Sequence, residues 1–150
     1  DLIVTGVQTC ALPIYSLSET RLYLHIKSYL HFERYLTCID IKKYRTALTR
    51  LRLSSHTLMI EKGRWTSPKT PLHDRLCPFC VSDIEDEYHV MLICPTYDDI
   101  RKLYLPRCVI TRPSMIKFVK MLTSSDVQLL INIAKCVYHI FKKKTTFAVL

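Results

Sequence analysis

The feature that most constrains this chain is a group of cysteine and histidine residues near its middle, spaced as Cys-x2-Cys-x8-His-x4-Cys. The residues are Cys77, Cys80, His89 and Cys94. Three thiolates and one imidazole form a donor set that suits tetrahedral zinc. The short first spacer brings two sulfurs to one ion, and the longer loop gives the chain enough length to return with the second pair. The sequence therefore predicts one zinc site at the centre of a small domain.

The second ligand pair has a geometric requirement of its own. His89 and Cys94 are five residues apart, which is about 140° around an α-helix, so they cannot both project from one face of a regular α-helix. Pro95 biases Cys94 away from helical backbone angles, and we expect Cys94 to turn back to the metal just after a helix ends. Four protein ligands leave no coordination position for an activated water, so the site is predicted to be structural.

The other cysteines have no partner at metal-ligand spacing. Cys38, Cys108 and Cys136 are predicted to be buried, small apolar residues. Because the cysteines cluster at metal spacing and do not form a disulfide framework, we expect a reducing compartment, and hence an intracellular protein of the nucleus or cytoplasm. No apolar stretch approaches the roughly 20 residues of a membrane-spanning helix, so we expect a soluble chain.

No catalytic motif accompanies the predicted metal site. The acidic run from Glu85 to Glu87 is interpreted as a solvated loop that adds negative charge near the metal or caps the helix bearing His89. Asp98 and Asp99 are interpreted as acidic residues in the first turn of a helix. With only two glycines in the chain, a glycine-rich phosphate loop is nearly excluded. We therefore expect that the chain is not an enzyme by itself.

Apolar residues that recur every three or four positions predict a mainly α-helical domain. We divide the chain into an N-terminal helical segment over residues 15–63, a zinc-binding module over 64–106 and a C-terminal helical segment over 107–150. Helices are predicted over Ser16–Leu36, Ile39–Leu53 and Thr96–Tyr104, with two more after Met115 and Val127. Cap pairs are predicted at Ser16/Glu19, Thr96/Asp99 and Ser125/Gln128. The lysines from Lys142 to Lys144 are predicted to complement the dipole of the last helix.

The charge of the chain points to a polyanionic partner. The formal net charge is +9, and it becomes +10 when residues 1–14, which contain one acidic residue and no basic one, are left out. Such an excess favours nucleic acid as a partner, and the alternative is a charge that only aids solubility. The candidate nucleic-acid-binding residues lie just before the zinc site: Lys42, Arg45, Arg50, Arg52, Arg64 and Trp65.

The first residues resemble a translated sequencing adapter. The run Val4–Ile14 reads Val-Thr-Gly-Val-Gln-Thr-Cys-Ala-Leu-Pro-Ile, which is the translation of a common short-read library adapter. A secretory signal is the competing interpretation, and it fits poorly because the chain starts at acidic Asp1 without a basic region and polar residues interrupt the apolar run. We interpret residues 1–14 as an artefact, and we expect the natural protein to extend upstream of Tyr15.

Several short motifs surround the predicted ligands between about Tyr44 and Arg101. They are Arg45, Leu48, Leu51, Arg52 and His56, then Ile60-Glu61-Lys62-Gly63-Arg64, Arg75-Leu76-Cys77-Pro78-Phe79-Cys80, Glu85-Asp86-Glu87-Tyr88-His89, and Cys94-Pro95-Thr96-Tyr97 with Arg101. With these motifs the chain resembles the zinc-binding region that follows the reverse transcriptase domain in many non-LTR retrotransposon (LINE) polyproteins. The resemblance implies an accessory module that contacts nucleic acid or the neighbouring polymerase.

These features together predict a non-catalytic zinc-binding module, a fragment of a retrotransposon-derived polyprotein whose parent would be an RNA-directed DNA polymerase. The expected partners are RNA or DNA and the upstream polymerase domain, with no membrane and no small-molecule substrate. One alternative is a protein-docking module that braces a polymerase through Ile41, Tyr44, Leu48 and the C-terminal helix. Another is a decayed fragment without a function.

Overall fold

The structure is a computed structural model that describes Leu22, Ile26 and residues 32–147. This part of the chain is mainly α-helical and contains no β-strand, so the predicted fold class is confirmed. The α-helices are α1 Tyr35–Cys38, α2 Lys42–Arg52, α3 Met59–Lys62, α4 Asp98–Tyr104, α5 Arg107–Ile110, α6 Met115–Leu122 and α7 Val127–Phe147. Leu72–Asp74 and Pro95–Tyr97 are 3-10 turns, and His89–Ile93 is a π-helical turn.

Helix α7 is the element against which most of the fold packs. It is 21 residues long, and it contacts α1, α2, α4, α6 and the π-helical turn. Its buried apolar residues recur at three- and four-residue intervals: Leu130, Ile133, Ala134, Val137 and Ile140. Among the described helices, none combines the length and hydropathy needed to cross a membrane.

Helix α2 directs its apolar stripe at α7. Leu48 and Leu51 are fully buried, and each such leucine stabilises the fold by about 1.5–3 kcal/mol relative to an exposed one. Tyr44 lies edge-on to Tyr138 of α7, with 5.2 Å between the ring centroids. Of the residues that the sequence offered for docking, Leu48 is therefore buried and Tyr44 is half-buried against α7, while Ile41 before the helix is exposed.

Several sequence predictions fall on the N-terminal region. Residues 1–14 and most of the helix predicted over residues 16–36 lie outside the described residues, including its Ser16/Glu19 cap. Leu22 and Ile26 are helical and buried, and α1 overlaps the end of the predicted helix. The helix predicted from Ile39 begins later, at Lys42, because Ile41 has an extended backbone.

The cysteines outside the metal group differ in burial. Cys136 is fully buried on α7, as predicted, and burial raises its pKa to about 12. Cys38 is half-buried, and the prediction is wrong for Cys108, which is exposed. On the short helix α5 it is Val109 that turns inward.

Two predicted helix caps are also wrong. Helix α4 begins after a 3-10 turn and receives no side-chain cap, although Asp98 and Asp99 occupy its first turn as predicted. At α7, the carboxylate of Asp126 accepts the N–H groups of Gln128 and Leu129 at 2.9 and 3.2 Å. Asp126 is therefore the N-cap, and the predicted Ser125/Gln128 pair is out of register by one residue.

The capping assignment can be tested with adjacent substitutions. We expect Asp126→Ala to lower the free energy of unfolding by about 0.5–2 kcal/mol, because two N–H groups at the start of α7 lose their acceptor. Ser125→Ala is the matched control, since Ser125 is exposed, and we expect a change within about 0.5 kcal/mol. Urea denaturation of the two variants measures the difference. If Ser125→Ala lowered the free energy of unfolding more than Asp126→Ala does, Ser125 would be the N-cap.

Candidate metal centre

The fold brings the four predicted ligands to one point. The donor atoms of Cys77, Cys80, His89 and Cys94 all lie within 4.8 Å of one another. The sulfurs of Cys77 and Cys94 are 3.8 Å apart, and Sγ of Cys80 is 3.3 Å from Nε2 of His89. A tetrahedral zinc ion with bonds of about 2.3 Å to sulfur has sulfur-to-sulfur edges of about 3.8 Å. The arrangement therefore fits a single tetrahedral metal ion.

The first ligand pair sits on a tight loop closed by backbone hydrogen bonds. The N–H of Cys77 donates to the carbonyl of Asp83 at 2.9 Å, and the N–H of Val81 donates back to the carbonyl of Cys77 at 2.9 Å. Leu76 and Ile84 form an antiparallel bridge at the base of the loop. Val81, just after the second cysteine, has φ of 54°, which is unfavourable for a β-branched residue and shows how sharply the chain turns here.

The second ligand pair shares one side of a π-helical turn. The N–H of Cys94 donates to the carbonyl of His89 at 2.8 Å, which is the i to i+5 bond of a π-helix. The wider turn places residues five apart on the same side, which a regular α-helix cannot do. Cys94 itself has φ −56° and ψ 121°, so it leaves the helical region just before Pro95, as predicted.

The two thiols of the first pair differ in how readily they ionise. Burial raises the pKa of Cys77 to about 12. Burial opposes ionisation at Cys80 as well, but hydrogen bonds from the hydroxyl and N–H of Ser82 outweigh it and lower the pKa of Cys80 to about 6. Cys80 is therefore ready to ligate as a thiolate, whereas Cys77 needs the charge of a metal ion to do so.

Glu85, in the loop between the ligand pairs, is not solvated. It is fully buried, and both of its carboxylate oxygens accept from Nζ of Lys144 at 2.5 Å. One oxygen also accepts the N–H of Met59 at 2.7 Å. The prediction of a solvated loop is wrong for Glu85, because its charge pairs with that of Lys144 across the interior and ties the metal loop to α3 and the end of α7. Lys144 lies in the last turn of α7, as predicted.

The next two acidic residues are also held by partners. Asp86 accepts the N–H of His89 at 2.7 Å, so it caps the turn that bears the ligand, as one of our sequence interpretations expected. Burial raises the pKa of Asp86. Glu87 accepts from Oγ of Ser54 at 2.6 Å and Nε2 of His56 at 2.9 Å. Burial opposes its ionisation, but the bond and charge of His56 outweigh burial and lower the pKa of Glu87.

The structure corrects one of the six predicted nucleic-acid-binding residues. Arg52 is 4% exposed. Its guanidinium donates to the carbonyl of Leu122 at 2.6 Å and to Glu33 at 2.8 Å, and it lies 4.9 Å from the ring centroid of Tyr35. A side chain held on three sides does not reach a phosphate, so Arg52 is a buried structural cation.

The other five candidates fall into two groups. Arg45 and Arg64 are half-buried, and they donate to the carbonyl of Ile39 and the carboxylate of Glu61, each at 2.8 Å. The remaining three, which are exposed and available to a ligand, are Lys42, Arg50 and Trp65.

The metal group leads to a prediction of stoichiometry. We expect one zinc ion per purified chain. The Cys94→Ser variant should lose this ion, because the three ligands that remain do not complete a four-coordinate site. Chelation should lower the free energy of unfolding, since structural zinc contributes about 10 kcal/mol or more in zinc-finger peptides. Elemental analysis and chemical denaturation measure both effects.

Cys108→Ser is the matched control for this prediction. It makes the same chemical change at an exposed cysteine outside the metal group, and it should keep full occupancy. A chain without stoichiometric metal, or a Cys94→Ser variant with normal occupancy, would contradict the assignment.

The buried ion pair leads to a second prediction. We expect Lys144→Met to lower the free energy of unfolding by about 3–5 kcal/mol, because the carboxylate of Glu85 stays buried without its cation. Lys142→Met, two residues earlier and exposed, should change it by less than about 0.5 kcal/mol. The double variant Glu85→Gln/Lys144→Met should recover most of the loss, which urea denaturation would show. Equal stabilities of the two lysine variants would mean that the pair does not stabilise the fold.

The comparisons with known proteins add no family assignment. No protein-family model, no curated protein and no solved structure matches this chain. The case for a metal site therefore depends on the distances and chemistry of its four donor residues. The resemblance to retrotransposon polyproteins stays a prediction from the sequence.

Proposed function

We propose that this chain is a non-catalytic, zinc-binding accessory module of a retrotransposon-derived reverse transcriptase polyprotein, and that it binds RNA or DNA. The observation that carries the proposal is the closed group of Cys77, Cys80, His89 and Cys94, with donor atoms within 4.8 Å of one another. Three sulfur donors and one nitrogen donor favour zinc over harder cations. With four protein donors around one ion, the metal holds the fold together and has no position for an activated water.

The segments that carry the resemblance contact one another in the described region. The guanidinium of Arg75 donates to the carbonyl of Ile60 at 2.8 Å. A Cβ on Gly63 would lie 2.8 Å from the side chain of Arg75, so this position favours glycine. Phe79 packs edge-on to Tyr97 beneath the metal group, with 5.8 Å between ring centroids. The matching segments thus form one packed unit around the ligands.

The surface charge supports nucleic acid as the partner. The chain carries a formal net charge of +9, and Lys42 and Arg50 are exposed on α2. Trp65 is 73% exposed, and an exposed indole is a platform on which an unpaired base can stack. In this proposal the polymerase chemistry belongs to another part of the parent polyprotein, which is the second expected partner.

Nucleic-acid binding is tested by titration at several salt concentrations. We expect the zinc-loaded chain to retain labelled RNA and DNA at low salt without reading their sequence. Its affinity should fall linearly with salt on logarithmic axes, at about 0.7–0.9 per phosphate neutralised, because binding releases counterions. The control is the same chain after chelation. No retention of RNA or DNA at low salt, or an affinity that salt does not change, would contradict the proposal.

A further inference from the structure

A groove between α2 and α7 collects cations from both helices. Its cationic side chains are Lys42, Lys43 and Arg50 from α2 and Lys142 from α7, and no acidic residue of the described chain lines it. Of these four, only Lys42 and Arg50 were predicted as binding residues. Lys142 joins them because α2 and α7 pack side by side. The groove is therefore lined by positive charges from two helices that meet only in the tertiary structure.

The floor of the groove is aromatic. The half-buried rings of Tyr138 and Phe141 line it, and Nζ of Lys43 lies 5.1 and 5.2 Å from the ring centroids of Tyr44 and Tyr138. Apolar ring surface beneath a rim of cations suits a chain that carries both phosphates and flat bases. A sulfate- or phosphate-sized ligand would use the cations and leave the rings without a role.

The groove continues past the end of α2. Arg50 borders it and also borders a second hollow, which Trp65 lines as well. This hollow is also lined by His56, Thr57 and Glu61, and the carboxylate of Glu61 is paired with Arg64 at 2.8 Å. A path thus extends from Lys142 through Arg50 to an indole that is 73% exposed.

We propose that a single strand of nucleic acid lies along this path, with its phosphates on Lys42, Arg50 and Lys142 and an unpaired base on Trp65; this inference rests on the proposed nucleic-acid function and locates it. A single strand is favoured over a duplex because a duplex keeps its bases stacked inside and has none to place on an exposed indole. An acidic protein segment would use the cations but not the ring.

The charge part of the proposal is tested with two matched triple variants. Lys42→Gln/Arg50→Gln/Lys142→Gln removes three cations from the path, whereas Arg107→Gln/Arg112→Gln/Lys120→Gln removes three exposed cations elsewhere. For single strands the salt slope falls by about 0.7 per lost phosphate contact, so we expect the first variant to lower it by about 2. The control should keep the slope of the parent chain. Zinc content and far-UV circular dichroism check that both variants fold.

The base-stacking part is tested at Trp65. We expect Trp65→Ala to weaken binding of oligothymidylate by about fivefold or more, and to leave the affinity for a duplex of equal length unchanged. Leu103→Ala, which removes another exposed apolar side chain (72%), should change neither. Polyglutamate serves as a competitor, and we expect it to displace oligothymidylate only weakly.

The outcomes separate the two proposals. If the parent chain binds no nucleic acid, the proposed function fails. The path is wrong, although the proposed function stands, if the parent chain binds and the Lys42/Arg50/Lys142 variant keeps its affinity and salt slope. The same conclusion follows if both triple variants lose affinity and salt slope to the same extent. If polyglutamate displaces oligothymidylate efficiently and Trp65→Ala has no effect, the ligand of this path is an acidic protein segment and not a nucleic acid.

Discussion

Two short segments must meet for the metal group to form, one with Cys77 and Cys80 and the other with His89 and Cys94. The loop that joins them is fixed to the rest of the domain by Glu85, whose carboxylate pairs with Lys144 and accepts the N–H of Met59. A buried carboxylate is tolerated only where a cation and hydrogen bonds replace its water. One buried interaction therefore connects the four candidate metal ligands to the end of α7 and the start of α3, and the geometry of the candidate metal site depends on the packing of α7.

Paired charges inside the domain connect segments that lie far apart in sequence. Arg52 joins α2 to Glu33 and to the carbonyl at the end of α6, and Glu87 joins the metal loop to Ser54 and His56. Each pair leaves an uncompensated buried charge when one partner is removed, so each restricts how the helices can be rearranged. Part of the positive charge of this chain thus serves the fold and is not available to a ligand.

The end of α7 separates these two uses of charge. Lys142 lines the groove beside α2, whereas Lys144 points into the interior at Glu85. Two residues along an α-helix are about 200° apart, so the two lysines face nearly opposite sides. Lys143 lies between them and donates to the carbonyl of Thr96 and the carboxylate of Asp99. Three adjacent lysines therefore have three different surroundings, and of the three only Lys144 lies in the last turn of α7, where the sequence had placed all of them.

The sequence by itself indicated the four candidate metal ligands, the helical class and the apolar periodicity of α2 and α7, because donor spacing and apolar periodicity are local properties of the chain. It also predicted that Cys94 would leave the helical region before Pro95. It did not predict the π-helical turn, since only the need to bring His89 and Cys94 to one point selects that turn over an α-helix. Nor did it predict that Glu85 and Arg52 are buried, because their partners Lys144 and Leu122 lie 59 and 70 residues away. Which charges are inside and which remain on the surface was decided by the tertiary structure, since that depends on which distant group each charge meets when α7 packs against the rest.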